Sequence, residues 1–170
     1  MSLAASLSQL LPSAEKRGNV IRDSWDRLGK LPGGPAIVSR LIGIAAPYTA
    51  SIGARVVELR RGYAKVVLAD RRRVRNHLDC VHAIALANLA ELTGNVAVAY
   101  TLPDDARFIV SGMSIDYLKK ARGTITGEAS CPLFDSSEKS EHEIHVSLRD
   151  KEGEEVAHAV LRTLVGPKKS

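Results

Sequence analysis

One segment limits the fold of this chain more than any other, the run from Val81 to Gly94. Alanine and leucine dominate it, and this composition predicts a helix. Gly94 predicts the end of that helix, because glycine is the residue that most often follows a last helical turn. Almost every face is apolar, so the helix has to be covered on nearly all sides rather than along one stripe. The rest of the chain must therefore wrap around it.

The segments before and after this helix alternate between apolar and polar residues, as β-strands do. Residues 54–59 and 63–68 flank a short turn that contains Gly62, which predicts a hairpin. Three or four further strands are predicted within residues 107–119, 123–131, 142–149 and 155–165. One buried helix among five or six antiparallel strands predicts an α+β domain in which a curled sheet surrounds the helix.

The first fifty residues have a different character and predict a helical extension (residues 1–50) on a main domain (residues 51–170). Ser13 can cap a helix that runs to about Leu28, and Pro35 can open a second one after a stretch rich in glycine and proline. The second helix is too apolar to be left in water. We expect it to pack on the main domain or to line a ligand pocket.

The length and the net charge of the chain exclude few classes of function. A chain of 170 residues fits one domain with an appendage. Its 24 basic against 19 acidic residues favour anionic partners. Aromatic residues make up only 4% and no nucleic-acid-binding motif occurs, so nucleic acid is not expected and a phosphorylated small molecule fits as well.

Cysteine usage and hydropathy predict a cytoplasmic protein without a membrane span. Cys80 and Cys131 are the only cysteines, no CxxC pair or secretory leader occurs, and so neither a disulfide framework nor a metal site is implied. The longest apolar stretch, residues 36–50, is interrupted by polar residues, glycine and proline. It falls short of the ~20 residues that a spanning helix needs.

Polar side chains cluster where the apolar helix begins. The cluster contains Asn76, His77 and His82, and four arginines precede or join it: Arg71, Arg72, Arg73 and Arg75. Glu91 lies within the helix itself. An ionisable side chain in so apolar a segment is costly to bury unless it is paired or faces a cavity. Glu91 is therefore the first candidate for a functional residue.

The spacing of His82 and Glu91 has a consequence for assembly. Nine residues of helix rise ~13.5 Å and turn through about 900°, which leaves the two side chains on opposite faces. One chain alone cannot bring them together, whereas a two-fold axis between antiparallel helices would create two identical sites. If both belong to one site, the protein is a homodimer. Simpler interpretations remain, in which His82 only caps the helix, Asn76 only forms a turn and Glu91 reaches solvent.

The combined pattern Asn76-x5-His82-Ala83-x7-Glu91 resembles the signature of hotdog-fold thioesterases of the phenylacetate-degradation type and their uncharacterised relatives. In that family an Asn and a His-Gly pair precede the central helix, and an acid lies nine positions after the His. The later run from Met113 to Gly123 is similar to the family's strand, which reads into Tyr-Leu, a basic residue and Ala-x-Gly. The resemblance covers roughly residues 52–165 and implies the hotdog fold.

The resemblance also implies roles in acyl-CoA hydrolysis. The Ala83 N–H would polarise the thioester carbonyl as an oxyanion hole does, and Glu91 of the partner subunit would act as general base on water or as nucleophile. Asn76 would orient the water or the carbonyl, and His82 would fix the loop or hydrogen-bond near the carbonyl.

The same resemblance implies that CoA phosphates would meet the basic cluster of Arg71, Arg72, Arg73, Arg75 and His77, although a solvated loop is an equally simple interpretation. No cofactor other than the CoA of the substrate and no metal is expected. The assembly would be a homodimer or homotetramer, and the acyl-chain specificity stays open.

Two departures from the family leave alternatives open. Ala83 replaces the usual glycine, and residues 1–50 exceed the family's short extension, so they could form a lid, cap an acyl tunnel or divert the protein from catalysis. One alternative is a hotdog protein that binds acyl-CoA or a fatty acid without turnover. Another is a hotdog dehydratase, which would use His77 and Glu91, fourteen positions apart. Its loop is normally rich in proline and glycine, and residues 76–93 contain neither.

Overall fold

The structure, a computed structural model, describes residues 18–168. Its helices are α1 (Val20–Leu28), α2 (Gly34–Ala45), α3 (Pro47–Ala50) and α4 (Ala83–Thr101), with a short 3-10 helix at Arg72–Val74. Its strands are β1 (Arg55–Arg60), β2 (Tyr63–Leu68), β3 (Ala106–Tyr117), β4 (Ile125–Ser130), β5 (Ser140–Arg149) and β6 (Glu155–Pro167).

The six strands form one antiparallel sheet in the order β1-β2-β4-β5-β6-β3. Alternate side chains point to the two faces of a strand. In β5, the inner face carries Ile144, Val146 and Leu148, which are at most 2% exposed, and the residues between them are more exposed to solvent. These side chains and those of α4 belong to one hydrophobic core. The prediction of an α+β hotdog fold with one long helix against a curled sheet is confirmed.

The central helix α4 does not end at Gly94, so that part of the sequence prediction was wrong. The helix continues to Thr101, and Gly94 is buried in its middle. A Cβ atom at this position would lie 2.1 Å from Cδ1 of Leu161 on β6. Glycine is therefore required here by the close approach of the helix to the sheet, and it does not mark a helix end.

Replacing Gly94 by Val is expected to lower the free energy of unfolding by about 3 kcal/mol. The added side chain would overpack the core against Leu161, and the helix propensity that valine gains over glycine, roughly 0.3 kcal/mol, offsets only a small part of this cost. Urea unfolding followed by circular dichroism measures the change. Ala87→Val, at a half-exposed position of the same helix, is the matched control; equal unfolding midpoints for the two variants would contradict the close packing at Gly94.

The described part of the N-terminal extension, residues 18–50, is helical, as predicted, and shares the core of the main domain. Trp25 on α1 and Val38 and Ile42 on α2 are buried in the same hydrophobic cluster as the sheet. Pro35 stands in the first turn of α2, as predicted. The predicted cap at Ser13 lies outside the described residues, and the domain boundary at residues 50/51 stays a prediction.

Hydrogen bonds fix α1 against the C-terminal end of α4. Asn19 caps α1 by accepting the Arg22 N–H at Oδ1 (3.0 Å), and its Nδ2 donates to the carbonyls of Ala99 (2.7 Å) and Leu102 (3.0 Å). The Tyr100 hydroxyl donates to Asp26 at 2.7 Å. Burial, and then this bond, raise the pKa of Tyr100 to about 12, so the phenol remains a donor at neutral pH. These contacts bind the extension to the end of the central helix.

Among the described residues, α4 is the one helix that is long and apolar enough to cross a membrane. In the folded protein, 67% of its 18-residue apolar stretch is buried. That degree of burial is what the core helix of a folded domain requires.

Candidate functional site

The chain enters α4 through a tight turn at residues 76–80. The Asn76 N–H donates to the Cys80 carbonyl at 2.9 Å, and Asn76 Oδ1 accepts the Leu78 N–H at 2.9 Å. Asp79, in the same turn, has a left-handed φ of 54°, which Asp tolerates better than most residues. Asn76 therefore holds the turn through its Oδ1 and keeps its Nδ2 protons available for another acceptor.

His82 is the N-cap of α4. Its ring Nδ1 accepts the Ile84 N–H at 3.0 Å, and the backbone N–H of His82 donates to the Val74 carbonyl at 2.8 Å. Because Nδ1 accepts, the proton of the neutral ring resides on Nε2. The residue is exposed, so Nε2–H is a donor directed away from the helix cap.

Ala83 is the first residue of α4, and its N–H donates to no acceptor among residues 18–168. The first N–H groups of a helix lack partners within the helix and carry its positive dipole end. The Tyr117 hydroxyl donates to the Ala83 carbonyl at 3.0 Å, and burial raises the pKa of Tyr117, so this bond persists at neutral pH. The free Ala83 N–H can bind a carbonyl oxygen or an oxyanion.

Glu91 lies on the side of α4 that the sheet does not cover. It is exposed and makes no hydrogen bond or ion pair within the described part of the chain. Ile84, 56% exposed, is on the same side of the helix. Eight residues of helix separate Ala83 from Glu91, a rise of ~12 Å. One chain therefore presents both groups and does not bring them together.

Sequence reasoning missed two residues on this side of the helix, Asn88 and Asn95. The Oδ1 atom of each is buried and accepts no hydrogen bond among the described residues, although Asn88 donates from Nδ2 to the Tyr48 carbonyl at 3.3 Å. An unsatisfied buried carbonyl costs about 1–3 kcal/mol. Their spacing in the sequence could have indicated them, because residues 88, 91 and 95 share one side of a helix and are polar in an otherwise apolar segment.

The arginines before the turn differ in their surroundings. Arg75 is held by two carboxylates, Asp70 and Asp79, each at 2.7 Å. The bond from Arg75, and then the Gly123 N–H, lower the pKa of Asp70, so this pair persists at neutral pH. The Arg73 guanidinium lies directly over Gly53, where a Cβ atom would meet Nη2 at 1.9 Å.

The remaining basic residues of the predicted CoA site are open to solvent. Arg71, Arg72 and His77 are exposed and make no ion pair in residues 18–168. No group of three potential metal ligands converges within that part of the chain. Arg71, Arg72 and Arg73 are thus the arginines of this cluster that pair with no carboxylate in residues 18–168, and of these Arg73 lies against the backbone at Gly53.

The edge strand β3 continues the uncovered surface beside α4. β3 pairs with β6 on one side and has no neighbouring strand on the other within residues 18–168. Met113 and Tyr117 lie in register with the buried Leu161 and Ala157 of β6, which places them on the inner face of the sheet. They are nevertheless 40% and 45% exposed. The Tyr117 to Ala83 hydrogen bond joins this strand to the start of α4.

Residues 34–165 match the model of a family described as a domain of unknown function, DUF4442. A structural-genomics crystal structure is similar at 34% sequence identity and a TM-score of 0.75, covering 86% of this chain and 98% of that one. A Pseudomonas aeruginosa protein of unknown function, named a probable thioesterase, has 24% identity and a TM-score of 0.71, covering 81% and 97%.

The E. coli PaaI protein of the phenylacetic acid degradation operon has the same fold at 16% identity and a TM-score of 0.61, with 78% of this chain and 91% of that one covered. No curated protein sequence matches the chain.

Proposed function

Because the chain belongs to the DUF4442 family within the hotdog thioesterase superfamily, we propose that it hydrolyses acyl-CoA thioesters in a site shared by two subunits. One observation carries the proposal: the N–H that begins the central helix and the carboxylate on its uncovered side are both without partners in the described chain. An oxyanion donor and a base are the two groups that thioester hydrolysis needs.

The β3 edge supports a homodimer. A long exposed edge strand is a hazard for aggregation unless it is paired or protected, and β3 is 12 residues long and contains no proline. Antiparallel pairing of two β3 strands about a two-fold axis would continue the sheet and cover Met113 and Tyr117. The two α4 helices would then lie side by side in opposite directions, with Ala83 of one beside Glu91 of the partner subunit.

In this arrangement the thioester carbonyl accepts the Ala83 N–H. Glu91 of the partner subunit takes a proton from water, the resulting hydroxide attacks the carbonyl carbon, and the negative oxygen is stabilised at the helix N-terminus. The C–S bond then breaks, and the proton held by Glu91 passes to the CoA sulfur. The products are a carboxylic acid and the free thiol. If Glu91 attacks directly, the C–S bond breaks as a mixed anhydride forms, the CoA thiolate takes a proton from water, and the resulting hydroxide hydrolyses the anhydride and releases the Glu91 carboxylate.

Two neighbouring donors complete the proposed site. His82 Nε2–H and the Nδ2 protons of Asn76 have no acceptor within residues 18–168, while other atoms of the same side chains hold the helix cap and the turn. Either donor can bind the carbonyl oxygen or the attacking water. Their structural bonds fix their orientation, which limits the reorganisation that the reaction requires.

We assign the CoA phosphates to Arg71 and Arg72 rather than to Arg75, whose charge is already balanced by two carboxylates. Replacing Arg71 and Arg72 together by Gln is expected to raise KM about tenfold at low salt, which corresponds to ~1.4 kcal/mol, with kcat little changed. The difference should shrink as ionic strength rises. Steady-state kinetics at low and high salt measures it.

The matched control for this double variant is Arg60→Gln with Arg61→Gln, two arginines at the end of β1 and in the β1–β2 turn. It removes the same formal charge. An equal rise in KM for both double variants would show that only net charge matters, which would contradict a phosphate site at Arg71 and Arg72.

The function itself is tested by thiol release from short, medium, long and aromatic acyl-CoAs. Wild-type protein is expected to release CoA from at least one of them at a rate above buffer. Release from none, with acyl-CoA still bound, would replace the enzyme by the second candidate, an acyl-CoA-binding hotdog protein without turnover. The methyl group of Ala83 at the proposed oxyanion site is the observation that favours this candidate.

We place the reaction in a reducing cytoplasm, as part of lipid or acyl-CoA metabolism. Cys80 and Cys131 are both free thiols, which a reducing compartment preserves.

A further inference from the structure

The extension and the main domain together line an apolar cavity of about 280 Å³ that is partly open to solvent. Its walls come from α1, α2, the C-terminal end of α4 and the start of β3, and include Val38, Leu41, Ile42, Ala99 and Leu102. The charged side chains on its lining are Arg107 and Lys168, both cationic. Cavities of this size with mainly apolar walls are suited to apolar ligands.

The cavity begins on the same side of α4 that carries the proposed base. Ala99 lines it, and Ala99 follows Glu91 by two steps of four residues, through Asn95. Residues at this spacing lie above one another along a helix, and the rise from Glu91 to Ala99 is ~12 Å. Glu91 is exposed, and Asn95 and Ala99 are half-buried. A partly exposed ridge of the helix, formed by Glu91, Asn95 and Ala99, thus leads from the carboxylate to the cavity wall.

Resting on the proposed function, we propose that this cavity receives the far end of the acyl chain, so that the substrates are medium- to long-chain acyl-CoAs. The cavity of about 280 Å³ is walled mainly by apolar side chains, which suits the apolar end of a long acyl chain. The chain first covers the ~12 Å along the helix. A hexadecanoyl chain is therefore long enough to reach the cavity, whereas a hexanoyl chain is too short to cover the distance from Glu91.

The geometry gives the extension a specific role, because α2 supplies the wall that limits the chain. Val38 is fully buried and Ile42 is 9% exposed, while Leu41 is half-buried and lines the cavity. The α2 helix is fixed to the sheet by Ser39, whose Oγ accepts the Val56 N–H at 2.9 Å. A larger side chain at position 41 therefore fills the cavity instead of moving the helix away.

The test compares Leu41→Trp with Ile37→Trp. Ile37 is on the same helix, is 51% exposed and does not line the cavity, so it is the matched control. In Leu41→Trp the ratio of kcat/KM for hexadecanoyl-CoA to that for hexanoyl-CoA is expected to fall at least tenfold, while Ile37→Trp keeps the wild-type ratio. Ile42→Ala, which enlarges the cavity, is expected to move the optimum to longer chains.

A binding experiment separates failure of the cavity proposal from failure of the proposed function. Non-hydrolysable S-hexadecyl-CoA is expected to bind wild-type protein at least tenfold more tightly than S-hexyl-CoA, and Leu41→Trp is expected to lose that difference. This result would support the cavity even if no thioester were hydrolysed. Hydrolysis with equal binding of the two analogues, or with equal chain-length ratios in the two Trp variants, would overturn the cavity proposal and leave the thioesterase intact.

Discussion

Replacing Glu91 by Gln is expected to lower kcat for acyl-CoA hydrolysis by about 10²- to 10⁴-fold, the range over which a positioned general base contributes. The amide has nearly the same shape as the carboxylate and can still contact water, but it cannot take a proton. Binding of the non-hydrolysable analogue should change less than threefold. Thiol release and calorimetric binding, measured on the same preparations, give the two quantities.

The control for this prediction is Glu143→Gln. Glu143 is an exposed acid on β5, and its loss removes the same charge without touching α4. The proposed mechanism does not survive if the Glu91 variant keeps a third or more of the wild-type kcat. In that case another group, for instance His82, would have to activate the water.

Replacing Ala83 by Pro is expected to lower kcat by about 10²- to 10³-fold, as the loss of one oxyanion donor does elsewhere. Proline removes the N–H and leaves the helix intact, since it is favoured at the first helical position. The preceding residue, His82, has φ −63° and ψ 140°, a conformation that residues before proline adopt. The Ala83 N–H makes no bond in the described chain, so folding loses nothing.

Ala83→Gly is the counterpart of this variant, because it keeps the N–H and removes only the methyl group. It is expected to retain or exceed wild-type activity. Circular dichroism and the thermal midpoint establish that both variants are folded. A proline variant that is folded and as active as wild type would eliminate the Ala83 amide as the oxyanion donor.

The same two variants test whether the site is shared. In a mixed dimer of one Glu91→Gln and one Ala83→Pro subunit, one shared site carries both substitutions and the other carries neither. Mixed dimers, purified with two different tags, are therefore expected to show about half the activity of wild type, although each parent is inactive. A site within a single chain would leave the mixed dimer inactive as well.

The order of the elements and most strand limits could be predicted from the sequence, because alternation and helix periodicity are local. The end of α4 could not. Gly94 carries a local signal for a helix end, and only its contact with Leu161 in the folded sheet shows that the glycine serves packing instead. The start of the second helix at Pro35 was predicted, because the preference of proline for the first turn of a helix is a local signal.

The candidate site was predictable to a different extent for each residue. Asn76, His82, Ala83 and Glu91 stand out by residue type and spacing, and the structure places them around the start and the open side of α4. The pairing of Arg75 with Asp70 and Asp79 depends on how the turn folds, which the spacing of charges along the chain does not define. The cavity is lined by α2 and by the start of β3, two segments that are distant in sequence, and so it could not be located in advance.

Asn19 joins the ends of two helices, since one side-chain amide caps the start of α1 and also binds the last carbonyls of α4. Detachment of α1 therefore leaves a backbone N–H at the start of α1 and two backbone carbonyls at the end of α4 without hydrogen bonds at the same time. The helix α1 and the end of the central helix should open as a single cooperative unit, with amide exchange rates that change together.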